Sequence, residues 1–110
     1  MTCNDILNEK YILVTDESTK SNVYEGIYTT DLLSAAIKSS QSGNILITII
    51  SHGNTVATAM MIDLPIIIIT ESRKIDEVMI NKANESGIAI ISTPLYTYEV
   101  VIDLFQRGLL

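Results

Sequence analysis

Three isoleucine-rich runs, evenly spaced and each followed by a short polar turn and a helix, constrain this chain most. They are Asn44–Ile50, Ile66–Ile69 and Ile88–Ile91. The turns are Ser51-His52-Gly53-Asn54, Thr70-Glu71-Ser72 and Ser92-Thr93-Pro94. The helices close near Ile62, near Ser86-Gly87 and near Gln106-Arg107-Gly108. The strands begin at Ile45, Ile66 and Ile88, 21 and 22 residues apart. That interval suits short strand–helix–strand units. A run such as Ile66-Ile67-Ile68-Ile69 has no polar alternation, which requires a strand covered on both faces. The expected fold is α/β: one mostly parallel sheet with helices on both faces and right-handed crossovers. Three consecutive βα units fill the C-terminal two-thirds, and residues 1–110 are expected to form one domain.

The composition agrees. Hydrophobic residues make up 47% of the 110, and isoleucine fills 19 positions. Such a chain collapses and buries its apolar surface, so disorder is excluded. Mean hydropathy is +0.33, yet the most apolar stretch, Met60–Ile69, is broken by Asp63 and Pro65. It falls well short of the roughly 20 apolar residues of a membrane span. Met1-Thr2-Cys3-Asn4-Asp5 shows no basic segment leading an apolar run, so a cytoplasmic protein is expected. The net charge of −6, with seven Lys and Arg, argues against nucleic-acid and anionic membrane partners. Cys3 stands alone, which excludes an intrachain disulfide and suits an inert residue of the N-terminal turn.

Gly87 and Gly108 stand where helices would end in a left-handed cap. In the last helix Val100, Val101, Leu104 and Phe105 form an apolar stripe, with Glu99, Asp103 and Arg107 opposite. The helix after Asn54 has almost no polar face. Such a helix is buried in the core or against a second subunit, which makes Val56, Met60 and Met61 interface candidates. Ahead of these units, Thr2 and Asp5 read as a capping pair for a short helix. Tyr11–Val14 and Val23–Tyr28 read as strands joined by a loop or hairpin over Asp16–Asn22. Thr30 or Asp31 would cap a helix carrying Leu32, Leu33, Ala36 and Ile37.

Ligands of open parallel sheets bind beyond the carboxyl ends of the strands. The candidate ligand-binding residues are therefore Ser51, His52, Gly53, Asn54, Thr70, Glu71, Ser72, Thr93 and Thr97. Hydroxyls and free N–H groups there favour a small anionic or carbonyl-bearing ligand, with Arg73 and Lys74 adding positive charge. The same Ser and Thr residues also serve as ordinary helix caps. His52 is the one histidine: a hydrogen-bonding turn residue, a ligand contact or a phosphoryl acceptor. No second His or Cys stands at ligand spacing, so neither a metal nor a cofactor is expected. No hydrolase elbow, Walker loop or dinucleotide fingerprint occurs. Asp16-Glu17 follows a strand as in receiver domains, but Ser51-His52 offers no acceptor aspartate.

From Tyr28 to Leu109 the sequence resembles the DRTGG domain family. The resemblance rests on Tyr28-Thr29-Thr30-Asp31-Leu32-Leu33-Ser34, Gly43-Asn44-Ile45-Leu46-Ile47-Thr48 and Ser92-Thr93-Pro94-Leu95-Tyr96-Thr97-Tyr98-Glu99-Val100. It implies a small α/β module that regulates or oligomerises rather than catalyses. Such modules stand alone or are joined to CBS domains in pyrophosphatases or to phosphate acetyltransferases. Two signature positions depart from the family. Ser51-His52 occupies the Asp-Arg position, and Thr70-Glu71-Ser72 keeps the threonine but neither glycine. A shorter likeness, Ile47–Asn54, is to the phosphohistidine turn of mannose-type sugar-transport IIA domains.

The expected function is a non-catalytic, self-associating regulatory or ligand-sensing module. A homodimer is the expected assembly, and a small phosphorylated metabolite or nucleotide the expected ligand. The alternatives are a phosphocarrier that uses His52 with Glu71 as orienting carboxylate, and an adaptor for a partner enzyme. The adaptor would use Met60, Met61, Ile80, Leu109 and Leu110.

Overall fold

The computed structural model describes residues 1–110. The isoleucine runs form the centre of a five-stranded sheet. Its strands are β1 (Ile12–Leu13), β2 (Ile27–Thr29), β3 (Ile45–Thr48), β4 (Ile66–Ile69) and β5 (Ala89–Ser92). The spatial order is β1-β5-β4-β3-β2, with β2 to β5 parallel and β1 antiparallel at one edge. Ile45, Ile66 and Ala89 stand in register across the three central strands. Every residue of β3 and β4 is buried, which is why no polar alternation survives there.

The two faces have separate cores. Ile45, Ile47, Ile66, Ile68 and Ile91 pack against Val100 and Leu104 of α5 (Thr97–Gln106) and Cys3 and Ile6 of α1 (Cys3–Ile6). On the other face Leu46, Ile67, Ile69 and Ile90 meet three helices. These are α2 (Leu33–Ser39) through Ala36, α3 (Gly53–Ile62) through Val56 and Ala59, and α4 (Glu77–Ser86) through Met79 and Ala83. Each fully buried isoleucine stabilises by about 1.5–3 kcal/mol relative to exposure.

Helix ends follow the expected chemistry. Gly87 (φ 70°) and Gly108 (φ 73°) are left-handed. The following amides, of Ile88 and Leu109, bond Ala83 and Leu104 carbonyls at 2.9 Å. Helix α3 ends in the same way, but on a non-glycine: Asp63 has φ 65° and the Leu64 amide bonds the Ala59 carbonyl at 2.8 Å.

The N-terminal third departs from expectation. Strands β1 and β2 lie at opposite sheet edges, so no hairpin joins them. A 3-10 helix, Glu17–Ser21, occupies the connection instead. The chain then passes beneath the sheet, where the Asn22 side-chain amide donates to the Pro65 and Gly87 carbonyls at 3.0 and 2.7 Å. Val23 falls outside β2 and bridges Thr2. Thr2 and Asp5 pair as expected, the Asp5 carboxylate accepting from the Thr2 amide at 2.9 Å. Helix α2 is capped by neither Thr30 nor Asp31 at its Ncap position, which is Leu32. Asp31 turns towards β3.

Two helix faces are also corrected. Val56 is fully inside this chain's own core and offers no surface to a partner, whereas Met60 and Met61 are 56% and 68% exposed. On α5, Phe105 points away from the core at 72% exposure. The polar side of α5 is engaged instead. Asp103 accepts from the Tyr11 hydroxyl at 2.7 Å. Arg107 reaches Asp103 at 3.2 Å and donates to the Asp5 and Ile6 carbonyls at 2.9 and 3.1 Å. A short helix leaves its terminal carbonyls unsatisfied, and Arg107 supplies donors for two of them. No helix is long and apolar enough to cross a membrane.

Candidate functional site

The turn after β4 has the most unusual backbone in the molecule. Glu71 and Ser72 are consecutive left-handed residues, with φ 62° and 52°. A side chain in that region crowds the following carbonyl, at about 1–2 kcal/mol per residue. The turn is held by its neighbour. The Glu71 amide donates to the Leu95 carbonyl at 2.9 Å, and the Ser72 amide to the Thr93 carbonyl at 3.0 Å. Thr70 is buried, its Oγ1 3.4 Å from Thr97 Oγ1. Thr93 is buried too, and its hydroxyl accepts from the Leu95 amide at 3.3 Å. The turns after β4 and β5 are thus one bonded unit. The chain makes a glycine-type turn without a glycine.

Asp31 ties the ends of β2 and β3. One oxygen, Oδ1, accepts from the Thr48 hydroxyl at 3.1 Å and from the Ile49 amide at 3.0 Å. Between Asp31 and the start of α5 lies a cleft of about 710 Å³. Thr29, Asp31, Glu71, Tyr96, Tyr98 and Ile102 line it, together with Thr97 and Val101. The two tyrosine rings stand 6.2 Å apart at 35°. The lining has two carboxylates and no Lys, Arg or His. The Arg73 guanidinium lies 3.9 Å from Glu71 in an exposed pair, which holds the carboxylate only weakly. The charge expected for an anion is therefore outside the cleft.

The predicted residues divide into two groups. Thr70, Glu71, Ser72, Thr93 and Thr97 come together at this end of the sheet, with Glu71 and Thr97 in the cleft wall. Ser51, His52, Gly53 and Asn54 lead into α3, on the opposite face. A Cβ on Gly53 would stand 3.9 Å from Lys82 of α4. The exposed His52 imidazole makes no hydrogen bond; only its carbonyl is engaged, by the Thr55 amide at 3.0 Å. No hydrogen bond or ion pair joins His52 to Glu71, whose partner is Arg73. Sequence reasoning missed Thr29, Asp31, Tyr96, Tyr98, Val101 and Ile102. The available signal was the pair of tyrosines flanking Thr97 at a helix start.

A second cleft, of about 570 Å³, opens at the other end of the sheet beside Val23, Met60, Asp63 and Glu85. No three His, Cys, Asp or Glu side chains converge as metal ligands would. Cys3 is fully buried, and burial pushes its thiol from 9.0 up to about 11, the mark of an unreactive sulfur.

No family model matches the sequence, and no curated protein matches it. Among solved structures, the chain is similar to the CBS and DRTGG domains of the regulatory region of Clostridium perfringens pyrophosphatase, complexed with its activator diadenosine tetraphosphate. The TM-score is 0.70 at 15% identity, over 88% of this chain. The chain spans 42% of the length of that structure. The likeness is one of fold: the protein has a DRTGG-like α/β fold.

Proposed function

We propose that this protein is a non-catalytic regulatory module that senses a nucleotide-like small molecule at the carboxyl end of its sheet. The observation that carries the reading is the cleft beside α5, with Glu71 of the strained turn in its wall. It has the volume of a small-molecule site, roughly 300–1,000 Å³. None of its hydroxyls is hydrogen-bonded to Asp31 or Glu71 as a nucleophile is to its base. The similar fold occurs in a regulatory region that binds a dinucleoside tetraphosphate, which supports a nucleotide as the class of ligand. The isolated, unbonded His52 gives the phosphocarrier reading no orienting group.

Self-association belongs to the same reading. Two apolar patches are uncovered: Met60 and Met61 on α3, and Ile102 and Phe105 on α5. Light scattering at tens of micromolar is expected to give a dimer, and Met61→Lys or Phe105→Lys to give the monomer. The sensing test is thermal denaturation against nucleotides and phosphorylated metabolites. A ligand at 100 times its Kd is expected to add about 2.7 kcal/mol. No shift with any of them would defeat the sensing reading.

A further inference from the structure

Resting on that reading, we infer that the cleft between Asp31 and α5 binds the nucleoside part of its ligand, base and sugar, and excludes the phosphates. The lining chemistry decides this. A phosphate is held by cations or a set of free N–H donors, and the lining has no cation but two carboxylates, Asp31 and Glu71. The amides of the β4 turn are already committed, Glu71 to Leu95 and Ser72 to Thr93. The Thr97 and Tyr98 amides at the start of α5 are free, but they share the lining with those two carboxylates, which oppose a phosphate there. The rest of the lining offers acceptors and aromatic faces. Tyr96 and Tyr98 are 54% and 63% exposed, so their rings are open to a planar group. Every nucleobase has a face to stack on such rings.

Asp31 fixes where the sugar goes. Its Oδ1 is held by Thr48 and Ile49, while Oδ2 has no partner within the chain. The side chain is therefore oriented by the sheet and left with one ionised acceptor. A vicinal diol donates to such a carboxylate, as ribose does to the acidic residue of dinucleotide-binding folds. The phosphates then leave the cleft, since entering it would bring them against Asp31 and Glu71.

The test is isothermal titration calorimetry on the full chain with adenosine, guanosine, cytidine and uridine, the mono- and triphosphate of each, inorganic phosphate and 2′,3′-dideoxyadenosine. At least one nucleoside is expected to bind, and its triphosphate no more tightly. If that nucleoside is adenosine, the dideoxy analogue is expected to bind about tenfold more weakly. Asp31→Asn is expected to weaken whichever nucleoside binds to the same extent, because the amide keeps an oxygen for Thr48 and Ile49 but loses the charge. Tyr98→Ala is expected to cost about tenfold, and Tyr98→Phe much less. Thermal denaturation confirms that each variant folds. Tight binding of triphosphate or phosphate without nucleoside binding would overturn the inference and leave the sensing reading standing. Nucleoside binding indifferent to Asp31→Asn and Tyr98→Ala would place it elsewhere and overturn the inference alone. Silence from every compound would overturn both.

Discussion

Replacing Glu71 and Ser72 together by glycine is expected to stabilise the protein. Both residues have positive φ, 62° and 52°. Relief of the side-chain clash returns about 1–2 kcal/mol per site. Each glycine also gives the unfolded chain more freedom, at about 0.5–1 kcal/mol. The net gain is then about 0.5–1 kcal/mol per site, or about 1–2 kcal/mol for the pair. Little else is lost, because both side chains are exposed and the Glu71–Arg73 pair at 3.9 Å is open to solvent. With an unfolding entropy of about 2.1 cal/mol/K per residue, this chain gains about 4–9 °C in Tm. Calorimetry reads the Tm, and urea titration reads the free energy with an unchanged slope. Glu71→Ala with Ser72→Ala is the control. It removes the same side chains but keeps a Cβ in the left-handed region, so its Tm is expected to stay near the parent's. A double-glycine variant no more stable than the double-alanine one would refute the claim that this turn stores backbone strain.

Three further outcomes are expected. Tyr11→Phe removes a 2.7 Å bond to a carboxylate and is expected to cost about 1.5–3 kcal/mol, read by urea titration. Asn22→Ala unpairs the Pro65 and Gly87 carbonyls and is expected to cost about 1–3 kcal/mol in the same measurement, with water access to those carbonyls setting the lower end. Alkaline pH is expected to weaken the fold. Burial raises the Cys3 thiol from 9.0 to about 11 and raises the Tyr11 hydroxyl further, with its bond to Asp103 adding to the effect. Groups whose folded pKa is raised contribute stability that is complete below the unfolded value and lost as pH climbs through the folded one. Denaturation midpoints are therefore expected to be flat towards pH 9 from below and to fall above it, the Cys3 share between pH 9 and 11 and the Tyr11 share from pH 10 to beyond 11, and Cys3→Ser would remove only its own share.

The βα units were legible because their strands are buried on both faces, so that hydrophobic continuity and turn punctuation carry the same message. Gly87 and Gly108 marked helix ends for the same reason: a local conformation demands that residue type. The N-terminal third was less legible. Its strands are two and three residues long, too short for a period to register, and their places depend on partners some 20 to 80 residues away. Asp31 illustrates the difficulty at the site. Its neighbours in sequence suggest a cap, but its bonds run to Thr48 and Ile49. The α5 stripe is right at Val100, Val101 and Leu104 and wrong at Phe105 alone. Glu99, Asp103 and Arg107 read only as the face opposite the stripe, yet Arg107 reaches two carbonyls about a hundred positions away, which no periodicity encodes. His52 drew notice as the one histidine, whereas the tyrosines beside Thr97 read as part of a helix.

The antiparallel edge also bears on how the protein can be made. On a ribosome the chain emerges N-terminus first, and β1 comes out ahead of the four parallel strands. Its partner β5 ends at Ser92, and the Arg107 and Leu109 groups that fasten α1 and Tyr24 come later still. β1 must therefore wait, unpaired, until β5 has cleared the exit tunnel. Vectorial synthesis can assemble the β2–β3–β4 block on the way, but the antiparallel edge closes only after it.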